Sequence, residues 1–229
     1  DRRPPSGYDM ERLPQALEGS MTWGYSPPPV GEEKRGLYYF NGSRLDSLAV
    51  LAAGSLVFHE LVPGHHLEST LARDNTQLSP LRQSAMCNAY AEGWAEYAAT
   101  LAGEVGLYDD PQDRYGRLVM DAFLTTRLVV DTGMNTLGWT WEQAKDYMRE
   151  HTLCAEGEIV SDSVRYSCGI PGQALPSKLG DEVILRMRDK ARAAAGESFS
   201  LKHFHSAVLG PGRLPLPVLE WHLDKVYAS

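Results

Sequence analysis

The chain has 229 residues, 43% hydrophobic and 23% charged, the balance of an ordinary globular protein long enough to bury a core without staples. Its formal net charge of -8 leaves no basic surplus to release counterions, which excludes phosphate-backbone binding as the main activity, so no nucleic-acid partner is expected. No run reaches the roughly 18 uninterrupted apolar residues that a membrane span needs, and no signal peptide is visible, although the chain begins at Asp1.

The first 45 residues are rich in Pro and Gly and weakly periodic, and form an extended N-terminal segment. GYSPPPVGEEKRG reads as a surface loop. LYYF, ended by a turn at Asn41-Gly42, reads as one edge strand. Residues 46–229 read as a mainly α helical domain with at most a small β element. Asp46 is the expected N-cap of the mostly apolar SLAVLAAGSLVFHEL. Ser79-Pro80 is expected to open a helix running through NAYAEGWAEYAATLAG, and Asp110-Pro111 another. Thr140 and Gln143 have capping-box spacing. A helix from about Asp181 ends at Gly196, and two short helices follow near residues 201–209 and 217–226.

Cys87, Cys154 and Cys168 are odd in number and lack a CxxC pair. They read as buried free thiols, neither a disulfide framework nor a zinc site. That usage favours a cytoplasmic location without establishing one, since an upstream signal can precede Asp1.

Three of the seven histidines, His59, His65 and His66, fall within eight residues beside Glu60. Neutral imidazole is the commonest zinc ligand, and a neighbouring carboxylate can serve as general base. The usual short zinc-peptidase motif places its histidines at i and i+4, but Pro63 occupies that position. A local bulge at Pro63-Gly64 would swing His65 back into phase, which favours His65 over His66. Glu92 and Glu96 share one face of an otherwise apolar helix, and Glu92 is the leading third ligand. Tyr166, read without further context, is a core aromatic.

HELVPGHHLE followed by AEGWAEY resembles the bacterial family called domain of unknown function 885, whose fold resembles the Taq-type metallocarboxypeptidases and related zincins. The resemblance continues through RLVVDTGMNTLGWTWEQAKDYM, VRYSCGIPGQAL and FHSAVLGPGRLPLPVLE, covering nearly the whole chain. It implies a zinc-dependent hydrolase of peptide or peptide-like amide bonds. His59, His65 and Glu92 would hold Zn2+, and Glu60 would activate the water. Tyr166 and His205 would stabilise the oxyanion. Arg165 and Gln173 would hold substrate, and His66 would face the substrate or support the site. Glu68, Asn135 and Pro176-Ser177 stand where the family usually has Gln, His and Ala-Tyr, departures expected to bear on substrate preference rather than metal binding. The partners expected are a peptide or small amide substrate and an N-terminal half, or a partner subunit in its place, because members of the family are usually much longer. An esterase or amidase of a small metabolite, and a non-catalytic domain retaining the metal site, are the alternatives.

Overall fold

The computed structural model describes residues 4–18, 21, 23–28, 35–43 and 52–228. The expected cap at Asp46 and the boundary after residue 45 lie outside them.

Three short strands come first: β1 (Tyr8–Arg12), β2 (Trp23–Ser26) and β3 (Gly36–Phe40). The sheet order is β1-β3-β2, with β3 parallel to β1 and antiparallel to β2. The segment expected as an edge strand is therefore the central one. Part of the segment expected to be loop supplies its antiparallel neighbour, with Tyr25 opposite Tyr38. Alternation was the missing signal: β2 is only four residues long and is specified by pairing, not by its own pattern.

Ten helices follow among the described residues, α1 (Ala53–Glu60), α2 (His65–Arg73), α3 (Pro80–Gln83), α4 (Asn88–Glu104), α5 (Pro111–Thr136), α6 (Trp141–His151), α7 (Glu156–Val164), α8 (Leu175–Ala195), α9 (Leu201–Leu209) and α10 (Leu216–Tyr227). A π-helical turn, Arg165–Gly169, continues α7. The chain is mainly α with a small β element, as expected. Asp110 caps α5 by accepting from the Gln112 amide at 2.7 Å, and Thr140 and Gln143 form the reciprocal box at α6. The helix expected to run on from Ser79-Pro80 is broken into α3 and α4. The helix expected from about Asp181 begins six residues earlier, with Pro176 in its first turn, where a missing donor costs nothing. Gly196 ends it at φ 55°, a conformation that favours glycine. Of the cysteines, Cys168 is exposed and the other two half-buried, so the expectation of three buried thiols fails.

Two apolar clusters hold the helices together. Tyr90, Trp94, Tyr97, Ile184, Phe204, Val208 and Leu219 join α4, α8, α9 and α10. Phe123, Leu124, Val130, Met148, Ile159, Tyr166 and Ala174 join α5, α6, α7 and the start of α8. Between them α4 and α8 cross at Gly93 and Gly180. A Cβ on Gly93 would lie 2.4 Å from the Gly180 carbonyl carbon, so only glycine permits the approach. That crossing sets Glu92, one residue before Gly93, against Ser177, three before Gly180.

Candidate metal centre

α1 delivers His59 and Glu60 at its last turn, and α2 begins with His65. The chain does not form a bulge within one helix, as the sequence suggested. It leaves helical geometry at Leu61 and re-enters it after Gly64, through a cis Val62–Pro63 peptide. The Leu61 carbonyl accepts from the His66 amide at 3.1 Å, a wide, five-residue turn that absorbs the two additional residues. Trp94 Nε1 donates to the Pro63 carbonyl at 2.9 Å and holds the turn to α4. A Cβ on Gly64 would sit 1.8 Å from the His59 carbonyl oxygen, so the return requires glycine.

His65 is nevertheless brought together with His59 and Glu92. His59, His65 and Glu92 each offer a ligand atom, all within 4.8 Å of one another. Both histidines present Nε2, each 3.7 Å from a different Glu92 oxygen. For donors about 2.1 Å from a tetrahedral ion, neighbouring donors stand about 3.4 Å apart, so the spacing and the two-nitrogen, one-oxygen set fit zinc. The residues present thus fit the metal that the resemblance implies.

His66 is not brought to this cluster. It is fully buried beneath the small sheet, with Nε2 2.7 Å from the Ser6 carbonyl and Nδ1 2.6 Å from the Tyr25 hydroxyl. The carbonyl only accepts, so Nε2 carries the proton and Nδ1 accepts from Tyr25. Gly36 makes the room, since a Cβ there would lie 2.8 Å from Nδ1. The expectation that His66 contacts substrate is corrected: both of its nitrogens are committed to packing.

Glu96, one turn after Glu92, is completely buried and lies 3.3 Å from His59 Nδ1. Its other oxygen accepts from Arg117. This is the carboxylate–histidine arrangement that orients a ligand and fixes its tautomer. The i,i+4 spacing of the two glutamates was the available signal, but not which one points inward. Ser177 Oγ donates to Glu92 Oε2 at 3.0 Å and accepts from Arg127 Nη2 at 2.7 Å. The departure at Pro176-Ser177 therefore touches a candidate ligand directly. Glu68 makes a two-bond ion pair with Arg213, 2.9 Å in each arm, and Asn135 holds the Tyr166 carbonyl at 3.0 Å.

The charges divide sharply. Burial alone would push His59 down, but the Glu92 and Glu96 carboxylates outweigh it and raise its pKa to about 10. Burial lowers His65 to about 4. Burial opposes ionisation of Glu92 and Glu96, yet His59 and the nearby cations hold both well below the ordinary carboxylate range. Glu60 is buried with less compensation and rises to about 7, the range of a group that can take and return a proton near neutrality. A divalent cation would displace the His59 proton and match the two carboxylates.

His59, Glu60, His65 and Glu92 line a cleft of about 530 Å³, the size of a small-ligand site. Its lining also includes Trp23 and Tyr25 of β2 and Arg127, Asp162, Arg165 and Gln173. Arg165 and Gln173, which the resemblance implies hold substrate, both line the cleft. Asp131 positions Gln173 by accepting from the Gly172 amide at 2.9 Å. Tyr166 does not line the cleft; it is buried in the second cluster, its hydroxyl interacting with Arg127 and Asp162, which do. His205 is not brought to the cleft either. Its Nε2 faces the Tyr97 hydroxyl at 2.7 Å and its ring packs against Trp94 and Phe204. Arg127 and Asp162 were missed because each is distant in sequence from the histidines; Glu96 and Ser177 drew notice in the sequence, but not for these contacts.

Fold and cleft define a mainly helical domain with a His-His-Glu cluster at the joint of two helices. The chain belongs to the family described as "Bacterial protein of unknown function (DUF885)", whose model matches residues 1–223. It is similar to "the putative lipoprotein from Colwellia psychrerythraea", with 38% identity and a TM-score of 0.94 over 98% of this chain and 39% of that one. A "putative lipoprotein of unknown function from Shewanella oneidensis" shares the fold, with 20% identity and a TM-score of 0.76 over 96% of this chain and 41% of that one. The chain therefore spans about two fifths of the length of either. No protein of curated function matches it.

Proposed function

We propose that this domain is a zinc-dependent hydrolase of peptide or peptide-like amide bonds. The observation that supports this best is the convergence of His59, His65 and Glu92 on one point, with Glu60 lining the same cleft. Zinc, when bound, supplies a Lewis acid that polarises a carbonyl and acidifies water. His59 and His65 hold it through Nε2 and Glu92 through its carboxylate, while Glu96 and Ser177 fix their orientation. Glu60 takes a proton from the attacking water and returns it to the leaving nitrogen. Trp23, Tyr25 and the apolar part of the wall exclude bulk water.

Zinc content and turnover of Glu60→Gln test this. The variant is expected to bind one zinc per chain, as the wild type does, and to lose amide hydrolysis by about 100-fold or more. A wild-type protein that takes up no zinc, or a variant with unchanged turnover, refutes the proposal.

A further inference from the structure

The cleft lining carries cations in excess. Arg73, Arg127, Arg165 and Arg213 all line the cleft. Three have evident occupations: Arg213 pairs with Glu68, Arg73 donates to the Pro28 carbonyl, and Arg127 donates to Ser177. Arg165 differs. Its Nε is buried without a partner, and it forms no ion pair among the described residues. Arg127 Nε and Gln173 Oε1 are buried and unpartnered in the same lining. Asp162 is the neighbouring acid and is held by the Tyr166 hydroxyl; among the described residues no ion pair joins it to either guanidinium, and burial raises its pKa to about 6 although both charges oppose the rise. Buried polar atoms left without partners are costly in a native fold, and a ligand that supplies partners removes that cost. The position is also telling: Arg127 reaches Glu92 through Ser177 alone, so the cationic wall begins beside the metal ligands.

Resting on the hydrolase reading, we propose that Arg165 and Arg127 receive a carboxylate of the substrate, and that Gln173 Oε1 accepts an amide N–H next to it. The guanidinium fork matches a carboxylate with two parallel bonds, which a lysine cannot reproduce. The chain's net charge of -8 opposes a negatively charged ligand, so a preference for one requires local cations such as these. A carboxylate in a peptide is either the C-terminal group or an acidic side chain.

The test uses chelator-treated protein, so that no metal contributes, with binding followed by calorimetry. The ligands are N-acetyl-Ala-Ala as the free acid, the same dipeptide as the C-terminal amide, and an amidated N-acetyl-Ala-Glu. The free acid is expected to bind roughly 10-fold or more tightly than its amide. Arg165→Gln should abolish that preference, and Arg165→Lys should retain part of it. Recovery of affinity by the amidated glutamyl peptide supports the same wall and assigns it to a side-chain carboxylate; no recovery assigns it to the C-terminus. Equal affinity for all three ligands, no binding of any at millimolar concentration, or an acid preference that survives Arg165→Gln overturns the inference. Because wild-type protein is compared with itself, poor folding of a variant does not remove the test. The outcome is independent of zinc: a protein that prefers the acid but takes up no metal keeps the carboxylate site and loses the hydrolase reading, and the reverse result separates them the other way.

Discussion

His65 and His66 are adjacent, yet their replacement by alanine should fail in opposite ways. His66→Ala removes a fully buried ring, its two hydrogen bonds and edge contacts to Tyr8 and Tyr25 at centroid distances of 5.2 and 5.7 Å. The cavity is worth about 2–3 kcal/mol. Leaving the Tyr25 hydroxyl and the Ser6 carbonyl unsatisfied adds about 1–2 kcal/mol. The sum, about 3–5 kcal/mol, is a large part of a typical domain's stability. In urea it should lower the unfolding midpoint by about 1–2 M. Zinc affinity of the molecules that remain folded should change by no more than about 3-fold, since neither His66 nitrogen faces the candidate centre. His65→Ala should do the reverse. It removes one of three ligands and should weaken zinc binding by more than about 100-fold, beyond the usual effect of losing a supporting residue. It should alter the urea midpoint little, because the lost ring lies on the cleft wall. Competition against a chromophoric chelator reads the first quantity and urea unfolding the second. If His66→Ala strips the metal while leaving the midpoint in place, the assignment of the two histidines is wrong.

Glu96→Ala should keep the fold's helical signal but weaken zinc binding by about 10- to 100-fold, because His59 loses the carboxylate that orients it; unchanged affinity in the chelator assay would make Glu96 purely structural. His205 should make stability depend on pH. Burial, then the nearby Arg188 charge, lowers its folded pKa to about 4, against about 6.5 for the unfolded chain. The unfolded state then binds the extra proton first, so stability is complete above pH 6.5 and falls as the pH drops towards 4. Part of the ring is exposed, so the loss is about 1–2 kcal/mol after screening. The groups facing it are Tyr97, Arg188 and, behind Arg188, Glu104. Urea unfolding of the wild type and His205→Gln at pH 7 and pH 4.5 isolates this contribution, and equal pH slopes would show that His205 is not shielded.

Much of this protein is written in local signals. The caps at Asp110 and Thr140 and the glycine stop at Gly196 act within a few residues, so the helices they bound could be read from the chain alone. So could the cluster of His59, Glu60 and His65, because three chemical groups fall within seven positions, and Glu92, because a carboxylate is conspicuous on an alanine-rich helix. The rest depended on contacts between distant residues. His66 reads from the sequence as facing the substrate or supporting the site, but the N-terminal sheet closes over it, using Tyr25 and Ser6, 41 and 60 positions away. His205 looked like a catalytic donor until Tyr97 was seen to occupy it, 108 positions away. The Ser177–Glu92 contact follows from the Gly93–Gly180 crossing, while the inward Glu96 and the buried Arg165 Nε depend on α1, α5 and the turn after α7. A side chain's partners are set by which elements pack against it, and packing is decided by the whole chain burying its apolar surface at once. Residue type and spacing therefore determine which groups are available for chemistry, and tertiary structure decides which of them meet.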